Sequence, residues 1–462
     1  MVRVMSGQDL IDAGLPQGRW FRPALDEANR VLEAGGTEAE ALTAALLYRP
    51  APTLAVRPAG ELPFFKNIEA DGVDEEANIA AVEYTMTALM RTPMIKAGAV
   101  MPDACPAGPP GTIPVGGVVA SEAIHPGMHS ADICCSMAIS LFAGIAPKDL
   151  LDAVHAVTHF GPGGRARGSQ IRPPAALMTA FGAHPMLNDL TSVAIEHFAT
   201  QGDGNHFAFV GQMKSTGETA LVTHHGSRAP GAKLYNKGMK IAGKMRESLS
   251  PETLPQNAWI PADTTEGEAY WSALQLVHAW TKANHFAIHD LAADRLAAKV
   301  TDRFWNEHNF VFRKSDGLFY HAKGATPAFS GFADDATDLT LIPLNMAEPV
   351  LIVRGKNADH GLGFSPHGAG RNFSRSHHKR MKAEMTTEEI MAEETAGLDA
   401  RFFCGNPDIS ELPSAYKNAA SVRAQIERFG LAEVVDEVVP YGSIMAGDWE
   451  IDAPWRRKKA GR

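Results

Sequence analysis

The chain has 462 residues, with 43 Lys and Arg against 53 Asp and Glu, and only four cysteines. A formal net charge of −10 excludes a broadly basic nucleic-acid coat, while leaving room for a local basic groove. There is no run of about 18 uncharged apolar residues to suggest a membrane span. The opening M-V-R-V-M-S-G-Q-D-L also lacks the apolar core of a secretory signal, so a cytoplasmic, reducing location with free thiols is expected.

Residues 8–50 read as short helices. The amphipathic stretch from Arg22 to Ala34 stops at Gly35 and Gly36, a C-cap signal. Thr37 and Glu40 then form a capping-box pattern that opens a second helix, which ends before Pro50. A Pro-rich piece, Pro50 to Pro63, follows. These features place a small helical appendage at residues 1–60 and a main body at 61–462. In the body, Asp74 to Met90 predicts a helix, and Val100 to Ala143 alternates glycines, prolines and short apolar runs, as strands joined by tight loops do. Thr219 to Val222 predicts a strand running into T-H-H-G-S-R, and Gly231 to Leu249 a basic helix. Tyr270 to Val300 predicts a long helix with His278, His285 and His289 near one face. No regular βαβ rhythm is present, so the fold class is α+β. The basic runs Arg375 to Lys382 and Trp455 to Arg462 read as a solvated face and a chain end.

Histidines recur in segments of similar texture, most of them Gly-rich: G-D-G-N-H-F with His206, T-H-H-G-S-R with His224 and His225, E-H-N-F with His308, and S-P-H-G-A-G-R with His367. Two of the four cysteines, Cys134 and Cys135, stand together in S-A-D-I-C-C-S-M-A just after Asp132. Adjacent cysteines bridge each other only with strain, so a structural disulfide is disfavoured. Asp, Cys and His together suit a borderline transition metal such as Zn²⁺ or Mn²⁺, and a thiolate can bridge two metals. Arg228, Arg371, Lys323 and the glycine-rich turns supply cations and N–H groups for phosphate. The residues thus point to metal-assisted chemistry on a phosphate ester or anhydride, with a histidine near the metals able to attack phosphorus. They leave hydrolase, nucleotidyl transferase and ligase open.

The ordered segments resemble the RtcB family of GTP-dependent RNA ligases. M-P-D-A-C-P-A-G-P-P-G-T-I-P-V-G-G-V (from Met101) is similar to that family's M-P-D-V-H…P-I-G-G-V, and S-A-D-I-C-C-S-M to V-D-I-G-C-G-M. G-D-G-N-H-F resembles G-G-G-N-H-F, H-H-G-S-R resembles H-S-G-S-R, and E-H-N-F resembles H-N-Y. H-A-K-G-A-T-P-A (from His321) is similar to H-R-K-G-A-T-R-A, P-H-G-A-G-R-N-F-S-R to H-G-A-G-R…S-R, and P-S-A-Y-K-N (from Pro413) to a late family motif. The segments keep the family's order over roughly residues 98–420. The resemblance implies mixed and antiparallel sheets packed with helices around a central metal cleft. It implies two divalent ions, Mn²⁺ in the family with Zn²⁺ or another divalent ion compatible, held by Asp132, Cys135 as the bridging thiolate, His206, His224 and His308. It makes His367 the nucleophile that takes GMP from GTP, and Asp103 an active-site aspartate. Asn205, Gly368, Gly370 and Arg371 would hold the nucleotide, with Arg228 and Lys323 on phosphate or RNA. Cys134 falls on a glycine position and His225 on a variable one.

What the resemblance implies chemically is ligation of an RNA 3′-phosphate, or a 2′,3′-cyclic phosphate once opened, to a 5′-hydroxyl, in RNA repair or tRNA splicing. The implied partners are tRNA or broken RNA, GTP or another nucleoside triphosphate, and an archease-like activator, with no membrane. The departures from the family are concentrated. Phe209 stands where it has a guanine-contacting glutamate, Asn345 and Val350 where it has serines, and P-Y-G-S-I-M-A-G (from Pro440) lacks its late lysine. Cys105 replaces a histidine, Ala322 and Pro327 replace arginines, and His285 replaces another. Metal ligands and nucleophile are thus retained while base-recognition groups are not, which predicts altered nucleotide choice unless Asn345, Glu348 or Ser443 rebuild it. A metal-dependent phosphoesterase or cyclic-phosphate hydrolase is the competing enzymatic reading, and an RNA-end-binding module the non-enzymatic one. A binder has no need of all six of Asp132, Cys135, His206, His224, His308 and His367. For His285 and His289, four residues apart, a metal clamp competes with a buried helix of satisfied histidines, and the second reading is favoured.

Overall fold

A computed structural model describes residues 3–49 and 53–451. The basic tail from Trp455 and the first residues of the Pro-rich piece, 50–52, lie outside the described residues. The chain divides into two compact units, Met1–Ala55 with Lys244–Glu252, and Val56–Gly243 with Thr253–Arg462. The first unit contains α1 (Gly7–Asp12), α2 (Phe21–Glu33) and α3 (Glu38–Leu46). Helices this short are marginal alone, and here they share an apolar core of Leu10, Phe21, Ala24, Ala28, Leu32, Ala41 and Ala45. The capping box opens α3 as its spacing predicts: Glu40 N donates to Thr37 Oγ1 while Thr37 N donates to the Glu40 carboxylate.

The second unit begins with β1 (Phe64–Lys66), α4 (Val73–Leu89), β2 (Ile95–Cys105), β3 (Val115–Ser121) and β4 (Ser136–Phe142). Then come α5 (Pro147–Val157), α6 (Ala175–Ala183), α7 (Thr191–Glu196), β5 (Phe207–Met213) and β6 (Thr219–His225). Two long helices, α8 (Arg228–Leu249), whose residues from Lys244 belong to the first unit, and α9 (Thr265–Leu296), precede β7 (Val300–Glu307), β8 (Asn309–Arg313), β9 (Phe319–Lys323) and β10 (Ala325–Pro327). The remainder is β11 (Leu339–Ile342), β12 (Val350–Gly355), β13 (Phe364–Pro366), α10 (Arg375–Met381), α11 (Thr387–Glu394), β14 (Asp399–Phe402), α12 (Ala419–Arg428) and β15 (Ala432–Met445). The fold is α+β. One sheet has five strands in the order β1-β2-β3-β9-β8, and a second has the order β11-β12-β15-β5-β6-β4-β7, with β14 added beside β15. Pairing is antiparallel except for β1 with β2 and β14 with β15. A small ladder joins β10 to β13. No helix among the described residues is long and apolar enough to cross a membrane.

Alternation sorts the strands of the larger sheet into two faces. Met137 and Ile139 of β4 and Val222 of β6 pack with Phe209, Val350 and Val438 into one core. Phe142 and Leu221, on the opposite face, pack with Leu150, Leu151 and Val154 of α5 and Ala292 of α9. The β4–β6 register pairs Ser136 with His225, Met137 with His224 and Ala138 with Thr223. His224 therefore shares the face of Met137, and Ser136, Thr223 and His225 share the face covered by α9. The long helix carrying His278, His285 and His289 starts at Thr265 rather than Tyr270, because Thr264 caps it by accepting from Gly267 N.

Candidate active site

The loop before β4 is held from both sides. Cys134 N donates to Asn309 O, and His308 N donates to Cys135 O, so the loop is stapled to the β7–β8 junction. Cys134 adopts φ +57°, a left-handed turn in which the next residue can swing back toward Asp132. Cys135 N in turn donates to Asp132 O. Gly226 is required here, because a Cβ at that position would come within 1.9 Å of the Asp132 carboxylate. The result is two groups of donor atoms that share a single thiol. Cys135, His224 and His308 form one group, and Asp132, Cys135 and His206 the other, each with its donor atoms within 4.8 Å of one another. Cys135 Sγ lies 3.2 Å from His224 Nε2 and 3.7 Å from His206 Nε2. His206 Nε2 is 3.0 Å from Asp132 Oδ2.

Two of the three ring nitrogens facing away from this centre have partners, and His308 Nδ1 has none among the described residues. His206 Nδ1 pairs with Gln201 O at 2.7 Å and His224 Nδ1 with Asn205 O at 3.1 Å, which turns each Nε2 lone pair inward as a metal-binding imidazole requires. Burial, followed by the neighbouring His206 and His367, pulls His224 down to about 3, so it is a neutral donor across the physiological range. Burial, then the adjacent Asp132, pushes the Cys135 thiol well above its ordinary value. Burial raises the Asp132 carboxyl, but hydrogen bonds with His206 and Cys135 and the nearby Arg228 lower it more, and it ends below the usual carboxylate value. Thiolate, carboxylate and neutral imidazole are the donors that a borderline divalent ion takes, so the residues fit two such ions. A cation must displace the Cys135 proton, and well above pH 3 the histidine does not compete. Affinity for Mn²⁺ or Co²⁺ is therefore expected to rise about tenfold per pH unit between pH 6 and 8. Calorimetry in two buffers of different ionisation heat would measure this, and a pH-independent affinity would exclude the thiol as a ligand.

His367 follows β13 and faces the same space, its ring centroid 4.8 Å from that of His308. The fully buried Asp103 of β2 accepts from His367 N at 3.1 Å and pairs with His367 Nδ1 at 2.6 Å. The carboxylate fixes Nδ1 as the protonated nitrogen and leaves Nε2 with a free lone pair. Gly370, at φ +73°, permits the close passage of this loop over β2, because a Cβ there would lie 2.0 Å from Asp103 O.

A cavity of about 520 Å³ opens on these groups, within the usual range for small-molecule sites. Asp132, Cys135, His224, His308, Asn205, Lys323, His367, Gly368, Gly370 and Arg371 all line it. Burial pulls Lys323 down to about 8, and its Nζ donates to Ile113 O. Arg371 donates to Ser410 O and pairs with the buried Glu411 at 2.6 Å, which Arg375 also pairs at 2.5 Å. Tyr416 donates to the same carboxylate and lies beneath the Arg371 guanidinium. His206 and Asp103 stand just behind the lining residues that they orient. Arg228 does not line the cavity: it is directed at Gly161 O and Thr200 Oγ1. The departures from the family pattern cluster on one wall, where Phe209, Asn345, Val350 and Ser443 line the cavity beside Phe207, Met346 and Met445. Cys105 lines it near His367, and Glu348 does not.

Sequence reading missed Glu411, Gln201 and the use of Arg375. Glu411 lies just before P-S-A-Y-K-N and carries no spacing signal of its own. His278 pairs with the buried Glu307 at 3.1 Å. His285 and His289 meet at the Thr223 hydroxyl, and their other ring nitrogens bond Ser136 and Ser140, so hydroxyls satisfy both and the buried-helix reading describes them.

The family described as tRNA-splicing ligase RtcB matches residues 175–446. The chain is 26% identical over 290 residues to the tRNA-splicing ligase RtcB of Aeropyrum pernix, covering 54% of this chain and 59% of that protein. It is 26% identical over 395 residues to the RNA-splicing ligase RtcB of Escherichia coli K12, covering 77% of this chain and 90% of that one. To the tRNA-splicing ligase RtcB of Thermococcus kodakarensis it is 24% identical over 324 residues, covering 62% and 64%. The match therefore spans less than two-thirds of both archaeal proteins. Asp103, Asp132 and Cys135 precede the segment matched by the family.

Proposed function

The chain belongs to the RtcB family, and from that premise we propose that it is an RNA ligase that works through a nucleotide carried on His367. In this reading His367 Nε2 attacks the α-phosphate of a nucleoside triphosphate, a P–N bond forms, and pyrophosphate leaves. The nucleotide then passes to an RNA 3′-phosphate, and a 5′-hydroxyl attacks that activated end to release the nucleoside monophosphate. Asp132, Cys135 and His206 would hold one divalent cation, and Cys135, His224 and His308 a second, in the family Mn²⁺. When bound, such ions neutralise phosphate charge and orient attacking and leaving oxygens. Asp103 keeps the proton on Nδ1 and stabilises the positive ring that forms as Nε2 bonds to phosphorus. Arg371, Arg375 and Lys323 supply cationic donors at the rim. The observation that carries the reading is the Asp103–His367 pair, which leaves one imidazole nitrogen free beside a shared-thiol metal site.

The apolar wall bears on the choice of base. Phosphates belong at the metal and arginine end of the cavity, which leaves the base against a wall of Phe207, Phe209, Met346, Val350 and Met445, with Asn345 and Ser443 as its polar side chains. No carboxylate on that wall can accept from the N1–H and N2–H₂ edge of guanine. Among the described residues, the two carboxylates that line the cavity are Asp132, in the proposed metal group, and Glu411, between two arginines. Apolar contacts discriminate by roughly 10–200-fold, whereas a site hydrogen-bonded to its substrate reaches about 10⁴-fold or more. GTP and ATP are therefore expected to label His367 within about a hundredfold of each other. The same wall is the specific reason to retain a second reading, a metal-dependent phosphoesterase on nucleic-acid ends. The test is intact-mass measurement of protein mixed with Mn²⁺ and each of the four nucleoside triphosphates, beside His367→Ala. A nucleotide adduct lost in the variant supports the ligase. No adduct from any nucleotide, with metal bound, would favour the phosphoesterase.

A further inference from the structure

Behind the proposed metal site, on the α9 face of the sheet, lies a linear chain of hydroxyls and imidazoles. Ser140 Oγ is 2.7 Å from His289 Nδ1, and His289 Nε2 is 2.8 Å from Thr223 Oγ1. Thr223 Oγ1 is 2.7 Å from His285 Nδ1, and His285 Nε2 is 2.9 Å from Ser136 Oγ. Ser136 Oγ in turn donates to Cys134 O at 2.9 Å. All five side chains are fully buried. With both rings neutral, one arrangement of protons satisfies the whole chain. Ser140 donates to His289, His289 to Thr223, Thr223 to His285, His285 to Ser136, and Ser136 to the Cys134 carbonyl. Burial holds both rings neutral, His289 at about 3 and His285 well below its ordinary value. The ring of His225 stacks on His285 at 3.4 Å and holds it from the side.

The chain lies next to the ligands. Ser136 follows Cys135 and Thr223 precedes His224, so His285 ties the residue beside one ligand on β4 to the residue beside the other on β6. Cys135 and His224 are the pair whose donor atoms approach to 3.2 Å. Strand pairing alone sets their backbones to within the play of a sheet edge, because Cys135 stands just outside the β4–β6 ladder, which begins at Ser136. The bond from Ser136 to the Cys134 carbonyl fixes the peptide that carries Cys135, a constraint the ladder does not supply.

We infer that Thr223 and His285 are positioning residues for the metal site, which set the Cys135–His224 separation from behind the sheet. This rests on the proposed metal ligands but not on the reaction. Thr223→Val keeps the volume and branching of the side chain and removes the central hydroxyl, and Thr223→Ser keeps the hydroxyl. With Co²⁺ as the probe, Thr223→Val is expected to bind at least about tenfold more weakly and to show a shifted, weaker thiolate-to-cobalt absorption. Thr223→Ser should recover affinity to within about threefold of wild type. A merely structural role would lower the melting temperature and leave the cobalt spectrum unchanged, and that result would overturn the inference. If Thr223→Val does not fold, Ser136→Ala removes the last link at little change in volume and is read the same way. Failure of the wild-type protein itself to bind Co²⁺ would instead remove the metal assignment and this inference with it.

Discussion

Cys135→Ser is expected to empty both metal groups at once and to lower any metal-dependent turnover by at least about 10³-fold. The reason is geometric: Cys135 is the one residue common to the two sets of donors. A serine hydroxyl is a poor ligand for a borderline ion, because it keeps its proton at neutral pH and offers a hard oxygen in place of a polarisable sulfur. Single substitutions elsewhere should act differently. His308→Ala removes a ligand from one group only, and His206→Ala from the other. Metal counted by elemental analysis after gel filtration should give two ions in the wild type, one in either histidine variant and none in Cys135→Ser. Retention of both ions by Cys135→Ser would sink the shared-thiol arrangement.

Asp103→Asn should slow nucleotide transfer to His367 by about 10²–10⁴-fold while leaving metal content unchanged. Asparagine fits the same space, but it has no charge to offset the imidazolium that forms, and its amide can present an N–H to Nδ1. That second possibility reverses the tautomer and places the proton on Nε2, the atom that must attack. Asp103 Oδ1 has no hydrogen-bond partner among the described residues, and Oδ2 bonds the ring and the backbone N–H of His367, so the carboxylate serves that one residue. Single-turnover adduct formation followed by intact mass is the measurement, with His367→Ala as the zero. A wild-type rate in Asp103→Asn would mean that the pair is structural.

The parts of the site that sit on local patterns were legible in the sequence. His206, His224 and His367 announce themselves in Gly-containing segments, His308 by the E-H-N-F pattern, and Cys135 follows Asp132 at a spacing that one tight turn brings together. The capping box of Thr37 and Glu40 was readable for the same reason, since its two partners are three residues apart. What depends on distant pairing was not. Asp103 and His367 are 264 residues apart, and their bond exists because β13 delivers one loop across the end of β2. Glu411 meets Arg371 and Arg375 from 40 and 36 residues away, past α10, α11 and β14, which no periodicity marks. Arg228 looked like a phosphate cation by type, yet its left-handed backbone (φ +54°) and surrounding carbonyls direct it elsewhere. The histidines of α9 could be placed on one face but not given partners, because Ser136, Ser140 and Thr223 lie on two other strands.

The separation of the two faces of β4 and β6 also bears on how the chain reaches this state. A sheet whose faces were both plain hydrocarbon would tolerate a slip of one residue at modest cost. Here a slip would carry His224 to the helix side and offer Thr223 or His225 in its place, so every side chain changes surroundings together. A slipped strand then breaks the Cys135–His224–His308 cluster on one face and the hydroxyl–imidazole chain on the other at the same time, so two separate sets of polar contacts single out one register.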